Sequence, residues 1–163
     1  MTVTRDSGQQ RSQRRRFLLL AVTLLAGCRR KLSPELRIRQ ELDALEVAVE
    51  EKDFSRVKEG LSAEFGGPEG IDRPGVMALL QLRLRSRPAV HLLVRVVEVA
   101  MASPTVGRVQ LVVAMAALPI AGPQALPRLE ADLYRFWLEL VEDDGRFRVR
   151  SARWEPAQVE EFL

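Results

Sequence analysis

The chain has 163 residues, with 25 Lys and Arg against 22 Asp and Glu, which gives a formal net charge of +3. Five of the basic residues but only one acidic residue lie within residues 1–27, so the remainder carries 20 basic and 21 acidic residues. The basic balance therefore belongs to one terminal segment and gives no reason to expect a nucleic-acid partner. The single cysteine excludes an internal disulfide, so packing alone must hold the fold.

Residues 1–27 have the composition of a secretory signal peptide. The arginines at 14–16 precede an apolar run at 17–26, and small residues follow it. A helix that spans a bilayer needs roughly 20 apolar residues, so this run of about ten is too short to remain as a span. Residues 14–18 also fit the loose twin-arginine pattern, so the sequence leaves both twin-arginine export and the general secretory pathway open.

The stretch Leu25-Ala26-Gly27-Cys28 closely resembles the lipobox of bacterial lipoproteins. The resemblance implies transfer of diacylglycerol to the Cys28 thiol, cleavage of the Gly27–Cys28 bond and acylation of the new amino group, for example with palmitate. Two or more acyl chains anchor a protein stably to a membrane, whereas one chain anchors it only marginally. The alternative is an ordinary secretory signal with an incidental cysteine.

Residues 28–33 are interpreted as a lipidated tether. Arg29, Arg30 and Lys31 either interact with anionic lipid headgroups, at about 1 kcal/mol per charge, or form a solvated spacer. Residue 29 is Arg rather than Asp, and the resemblance to outer-membrane lipoproteins implies sorting to the outer membrane, with the domain facing the periplasm.

The mature chain begins with a predicted helix. Ser33-Pro34-Glu35 combines an N-cap hydroxyl, a proline at the first helical position and an acidic first turn. Apolar residues then recur at helical spacing to about Lys52. The acidic residues of the segment are expected on other faces: Glu41, Asp43, Glu46 and Glu50.

Two further helices are predicted before the sheet. Asp53 caps a helix that is expected to end at about Ser62 or Glu64, and glycines mark residues 66–70 as a loop. A third helix is predicted over residues 72–87. Three arginines cluster at the C-terminal end of this helix: Arg83, Arg85 and Arg87. The helix dipole favours cations at that end, so their position has a structural explanation.

From Ala89 the hydrophobic period changes to two, which predicts four strands at about 90–99, 106–118, 129–142 and 146–154. Asp143-Asp144-Gly145 predicts a tight hairpin turn, prolines mark residues 119–127 as an extended loop, and residues 156–163 are expected to form a short tail. Helices first and strands after predict an α+β fold, with three N-terminal helices packed on a curved four-stranded antiparallel sheet.

This order of elements resembles the nuclear transport factor 2-like superfamily over residues 34–155. The resemblance rests on the helix pair at 45–65, the third helix, and the terminal hairpin from Tyr134 that closes on Trp154. It implies a cone-shaped α+β domain in which the sheet and the first helices enclose a pocket. Some members of the superfamily use such a pocket for isomerisation or dehydration, and others use it only for binding.

Tyr134, the only tyrosine, is the candidate pocket residue. Ketosteroid-isomerase-like relatives use a carboxylate base and an oxyanion hole that contains a tyrosine. Tyr134 shares an apolar face with Phe136 and Leu138, so its ring either lines a pocket or packs in the sheet, and packing is the preferred interpretation. No carboxylate can be placed opposite Tyr134 from the sequence, so no catalytic set is predicted.

The other polar residues have simpler explanations. His91 is the only histidine and has no partners at metal-ligand spacing, so no metal site or cofactor is predicted. Asp143 and Asp144 are explained as turn residues. Three alternating arginines either meet phosphates or an acidic partner, or pair across the sheet with Glu139 or Glu142, which is preferred: Arg146, Arg148 and Arg150.

The sequence therefore predicts a membrane-anchored envelope lipoprotein whose domain binds a small molecule or an envelope protein without catalysis. The alternative is a small lyase or isomerase of the ketosteroid-isomerase type, which would use Tyr134 and an acid that the sequence does not identify.

Overall fold

A computed structural model of the protein describes residues 32–163. The predicted signal peptide, the Gly27–Cys28 cleavage site and residues 28–31 of the tether lie outside the described residues. The described part contains three α-helices and five β-strands: α1 (Pro34–Glu50), α2 (Phe54–Glu59), β1 (Leu61–Gly66), α3 (Arg73–Arg85), β2 (His91–Ser103), β3 (Val106–Ala116), β4 (Ala131–Asp143) and β5 (Arg146–Pro156). None of the helices within residues 32–163 is long and apolar enough to cross a membrane.

Side-chain caps begin all three α-helices where the sequence predicts them. The side-chain oxygens of Ser33, Asp53 and Asp72 each accept a hydrogen bond from the backbone N–H three residues later, at 3.3, 3.1 and 2.9 Å. Such caps satisfy N–H groups that have no partner inside the helix. The predicted helix starts are therefore confirmed.

The second helix is shorter than predicted. It ends at Glu59, so the prediction of a helix to Ser62 or Glu64 is wrong. Those residues belong to β1, which pairs with β5 in parallel. The backbone N–H of Val149 donates to the Gly60 carbonyl at 2.9 Å. The chain therefore pairs with the edge of the sheet directly after α2.

The sheet has five strands in the order β1-β5-β4-β3-β2. The prediction of four antiparallel strands is wrong in number and in direction, because β1 adds a parallel edge strand. The other three pairings are antiparallel, as predicted. The hairpin turn is also confirmed: Asp144 and Gly145 have φ angles of 49° and 76°, the left-handed pair that a two-residue turn between twisted strands requires.

The helices cover one face of this sheet and form the main core with it. Register shifts interrupt β2 between Val96 and Glu98 and β5 between Val149 and Ser151, and such bulges bend and twist strands. The buried residues of the main core come from α1 and from strands β1, β3, β4 and β5: Ile38, Leu42, Phe65, Val109, Leu111, Leu140, Phe147 and Val149.

The opposite face of the sheet is covered in part by the C-terminal residues. The expected tail contains a 3-10 helix, Val159–Phe162, and a second 3-10 helix, Pro123–Arg128, lies in the predicted proline-rich loop. Phe162 is 2% exposed and packs with residues of β3 and of the proline-rich segment. The side chain of Arg135 on β4 forms an ion pair with Glu161, which fixes the end of the chain to the sheet.

Candidate functional site

A cavity of about 490 Å³ lies between the helices and the sheet. Residues from α1, α2 and α3 line one side, and residues from strands β1 to β5 line the other. Among the described residues that line it, only Glu46, Arg83 and Tyr134 carry a charged group or a hydroxyl. This space is called the interior cavity below.

The alternation of side chains along the strands determines which residues of the sheet line the interior cavity. On β4, Tyr134, Phe136 and Leu138 point to the same face, because alternate residues of a strand share a face. The register pairs Tyr134 with Val113 and Phe136 with Leu111 and Trp154. The Phe136 ring lies between the rings of Tyr134 and Trp154. Its centroid is 6.3 Å from the centroid of the Tyr134 ring and 6.1 Å from that of the Trp154 ring. The floor of the cavity is thus an aromatic row beside aliphatic side chains.

Polar side chains meet at one end of this row. The Arg83 Nη2 atom donates to the Tyr134 hydroxyl oxygen at 2.9 Å and lies 3.0 Å from the Asp132 carboxylate. Arg87 forms a second ion pair with Asp132. These four residues, Arg83, Arg87, Asp132 and Tyr134, are called the mouth cluster. The Arg83 side chain is 45% exposed, so the cluster joins the interior to solvent.

The outer side of the mouth cluster is a recess of about 470 Å³. It shares Leu79 and Arg83 with the interior cavity and is also lined by Leu82, Ser86 and Arg87. Leu79 and Leu82 are exposed apolar side chains on α3. A ligand that enters past α3 therefore meets leucines and guanidinium groups before it reaches the aromatic row.

Glu46 on α1 is the carboxyl group of the cavity lining. Burial raises the pKa of Glu46 above its ordinary value, and the charges of Glu50 and Asp43 raise it further. The expectation that Glu46 lies on another face of the helix is wrong, since its side chain faces the cavity. Glu50 has a structural role instead, because its carboxylate accepts the backbone N–H of Leu92 at 2.7 Å.

The structure places the sequence-predicted site residues in different surroundings. Tyr134 lines the interior cavity, and Arg83 and Glu46 line it with Tyr134, although sequence reasoning assigned neither of them to a site. His91 is half-buried at the start of β2 and lies outside that lining. Cys28 lies outside the described residues. Residues 32–163 contain no group of three or more His, Cys, Asp or Glu side chains that could hold a metal ion.

Ion pairs hold the three alternating arginines at the start of β5, Arg146, Arg148 and Arg150. Arg150 pairs with Glu139 across the sheet, as predicted, and its hydrogen bond lowers the pKa of the Glu139 carboxyl group. Arg146 and Arg148 have partners that the sequence did not predict: Glu41 on α1, at 2.9 Å, and Asp143. Glu142, the other expected partner, pairs with Arg37 at 2.7 Å. These pairs account for the arginines without a ligand.

A second depression, of about 620 Å³, lies over polar residues of the opposite sheet face. Three of its four charged side chains are engaged with each other or with an aromatic ring. The Arg108 Nε atom lies 3.6 Å from the Glu139 carboxylate, and the Arg153 guanidinium lies 4.2 Å from the centre of the Trp137 ring. This open surface lacks the convergence of a few polar groups on an apolar interior that marks small-molecule sites. The interior cavity is therefore the candidate site.

Solved structures share this fold. A nuclear transport factor 2-like protein of unknown function from Shewanella oneidensis is 17% identical, with a TM-score of 0.54 over 74% of this chain and 98% of its own. A ketosteroid isomerase-like protein from Erwinia carotovora is 13% identical, with a TM-score of 0.56 over 76% of this chain and 96% of its own. Bd1075 from Bdellovibrio bacteriovorus is 8% identical, with a TM-score of 0.60 over 74% of this chain.

The chain spans 40% of the length of Bd1075. No family model matches the chain, and no curated protein matches its sequence. The described domain thus has the α+β fold of nuclear transport factor 2-like and ketosteroid isomerase-like proteins, as the resemblance implied. At these identities the similarity concerns the fold alone.

Proposed function

We propose that the domain binds a small molecule with an apolar body in the interior cavity and does not transform it. The observation that carries this proposal is an apolar lining interrupted by three polar side chains. Small-molecule pockets typically have volumes of about 300–1,000 Å³, apolar walls and a few polar groups that orient the ligand. Burial of apolar ligand surface supplies the affinity, at roughly 25 cal/mol for each Å² removed from water.

The test is binding of Nile red, a neutral apolar dye that becomes fluorescent outside water. Val113→Trp places an indole in the interior cavity, so we expect this variant to lose most of the binding that the wild-type chain has. The matched control is Val97→Trp, which adds the same group to an exposed position of β2 and leaves binding unchanged. Equal binding by the two variants would place the dye elsewhere and contradict the proposal.

We further propose that the protein is a lipoprotein of the bacterial cell envelope, anchored through lipid on Cys28 and facing the periplasm. The basis is the lipobox Leu25-Ala26-Gly27-Cys28, which follows an apolar run too short to remain as a span. Arg29 after the lipidated cysteine supports the outer membrane as the destination. The anchor would then keep the ligand-binding domain at a lipid surface.

Cys28→Ser tests the anchor, because it removes the only thiol of the chain. We expect the wild-type protein to incorporate an alkyne-labelled palmitate, to sediment with membranes and to lose residues 1–27. The variant should incorporate no label. Thr23→Ser, a change in the apolar run that keeps the thiol, is the matched control. Labelling of the Cys28→Ser variant would overturn the assignment.

A second candidate function is a lyase or isomerase, and the placement of Glu46 and Tyr134 in one lining favours it. Burial raises the pKa of the Glu46 carboxyl group, which makes its carboxylate a stronger base than an exposed one. Arg83 donates to the Tyr134 oxygen, so the phenol hydrogen is left to donate to a substrate oxygen. Binding without catalysis is the better-supported proposal, since an apolar lining needs no reaction to explain it.

Deuterium uptake by an enolisable cyclic ketone in D₂O, followed by NMR, tests the enzymatic alternative. If the chain catalyses proton transfer, Glu46→Gln and Tyr134→Phe should each slow the exchange by about 10²-fold or more while the circular dichroism spectrum stays unchanged. Exchange no faster than in buffer would exclude proton transfer on this class of substrate.

A further inference from the structure

The mouth cluster carries an excess of positive charge. Two guanidinium groups, those of Arg83 and Arg87, share one carboxylate, that of Asp132. Arginine stays protonated in proteins, so the three side chains have a formal charge of +1. Glu46 is the only carboxylic acid among the described residues that line the interior cavity. It belongs to α1 and forms no ion pair with Arg83 within residues 32–163. An anion is therefore favoured at this end of the cavity.

The cluster also offers hydrogen-bond donors toward a ligand. Arg83 uses its Nη2 atom for both Tyr134 and Asp132, and its Nε and Nη1 groups make no hydrogen bond within the described part of the chain. Tyr134 accepts from Arg83, so its own O–H hydrogen remains available. One unpaired N–H of Arg83 and the phenol hydrogen of Tyr134 match the two oxygens of a carboxylate, which accept and never donate when ionised.

The rest of the lining determines what kind of molecule carries that anion. Beyond Tyr134, the aromatic row continues through Phe136 to Trp154, with Leu111 and Val113 beside it. A purely polar anion would leave these apolar walls unfilled, and a purely apolar ligand would make no contact with the positive charge and donors of Arg83. The two halves of the cavity are therefore matched by one molecule with a charged end and an apolar body.

We infer that the interior cavity binds an amphipathic carboxylic acid, with its carboxylate at Arg83 and Tyr134 and its aliphatic or alicyclic body on the aromatic row. This inference rests on the proposed function, because it specifies the class of ligand for the same cavity. The charged end lies at the solvent side, where Arg83 is half-exposed, and the body extends inward. The geometry thus assigns Arg83 as the residue that selects acids over neutral analogues.

Binding of cis-parinaric acid and of its methyl ester to the full chain tests the inference. The two fluorescent probes share the same hydrocarbon body and differ in the charge of the head. We expect the acid to bind about tenfold more tightly than the ester, the size of effect that one charged hydrogen bond supplies. Arg83→Gln should abolish this preference without weakening the ester, and Tyr134→Phe should reduce it.

Arg85→Gln is the matched control, since it removes an arginine from the same end of α3 outside the cavity lining and should keep the preference. Asp132 retains Arg87 in the Arg83→Gln variant, so the fold keeps that ion pair. Equal affinity for acid and ester, with binding lost in Val113→Trp, would overturn the inference and leave the proposed function standing. If neither probe nor Nile red binds the wild-type chain, both proposals are wrong.

Discussion

Glu46 is a carboxyl group held against an apolar lining. Burial, followed by the charges of Glu50 and Asp43, raises its pKa above the ordinary value of 4.5. Between that value and the raised pKa, the folded state binds more protons than the unfolded state, so the free energy of unfolding falls as the pH rises through this window. We therefore expect Glu46→Gln to raise the Tm at pH 7, and the difference from the wild type to shrink below about pH 4, where both states are protonated.

Thermal unfolding followed by circular dichroism over a series of pH values measures this effect. Glu64→Gln is the matched control, because Glu64 is an exposed carboxylate of β1 and its replacement should leave the pH dependence unchanged. A stabilisation by Glu46→Gln that was largest at low pH would contradict the burial of Glu46.

The sequence indicated one of the three polar residues of the interior cavity. Tyr134 could be assigned to the core face because the alternation with Phe136 and Leu138 is local to one strand. Arg83 could not, because its partners Tyr134 and Asp132 are about fifty residues away along the chain, and its position at a helix end already had an explanation. Glu46 was missed because polar residues on a helix are usually assigned to solvent.

At the scale of elements, local signals account for what the sequence predicted correctly. The cap at Ser33 and the turn at Asp144 and Gly145 depend on residues within a few positions of each other, so they can be read directly from the chain. β1 depends on its parallel pairing with β5, where Leu61 lies opposite Val149. No short-range pattern carries that information, so a helix was expected there instead.

The packing of α1 on β3 depends on the lack of a side chain at Gly107. A Cβ atom at this position would collide with the Cδ1 atom of Ile38, a fully buried residue of α1. We expect Gly107→Ala to lower the free energy of unfolding by about 1–3 kcal/mol, the usual cost of adding a methyl group to a packed core. Urea unfolding at equilibrium measures the change.

Two further variants test the cause. Ile38→Val removes the colliding methyl group, so the double variant Ile38→Val, Gly107→Ala should be more stable than the sum of the single effects predicts. Gly66→Ala adds the same methyl group where no atom lies within 4 Å and should change the stability by less than about 0.5 kcal/mol. Strict additivity in the double variant would show that the Ile38 contact is not responsible.

At the scale of the whole described domain, the two ends of β4 have different neighbours. Near its last residues, Arg37 of α1 donates to Glu142 and to the Gly145 carbonyl, both at 2.7 Å. Near its first residues, Asp132 and Tyr134 meet Arg83 of the mouth cluster. A strand of 13 residues is about 40 Å long. The described chain thus begins at one end of the sheet, and the interior cavity opens at the other.

This separation predicts that attachment through Cys28 leaves the cavity open to ligand. Cys28 precedes Leu32 by four residues, which reach at most about 14 Å when fully extended. We expect protein produced without lipidation, and coupled through its free Cys28 thiol to maleimide beads, to bind Nile red as tightly as the uncoupled protein. The matched variant Cys28→Ser, Leu82→Cys moves the single thiol to a side chain that is 72% exposed beside the mouth cluster. Coupling there should weaken dye binding severalfold, because the bead surface then covers the recess. Loss of binding on coupling through Cys28, with binding retained at Leu82→Cys, would place the entrance at the opposite end of the sheet.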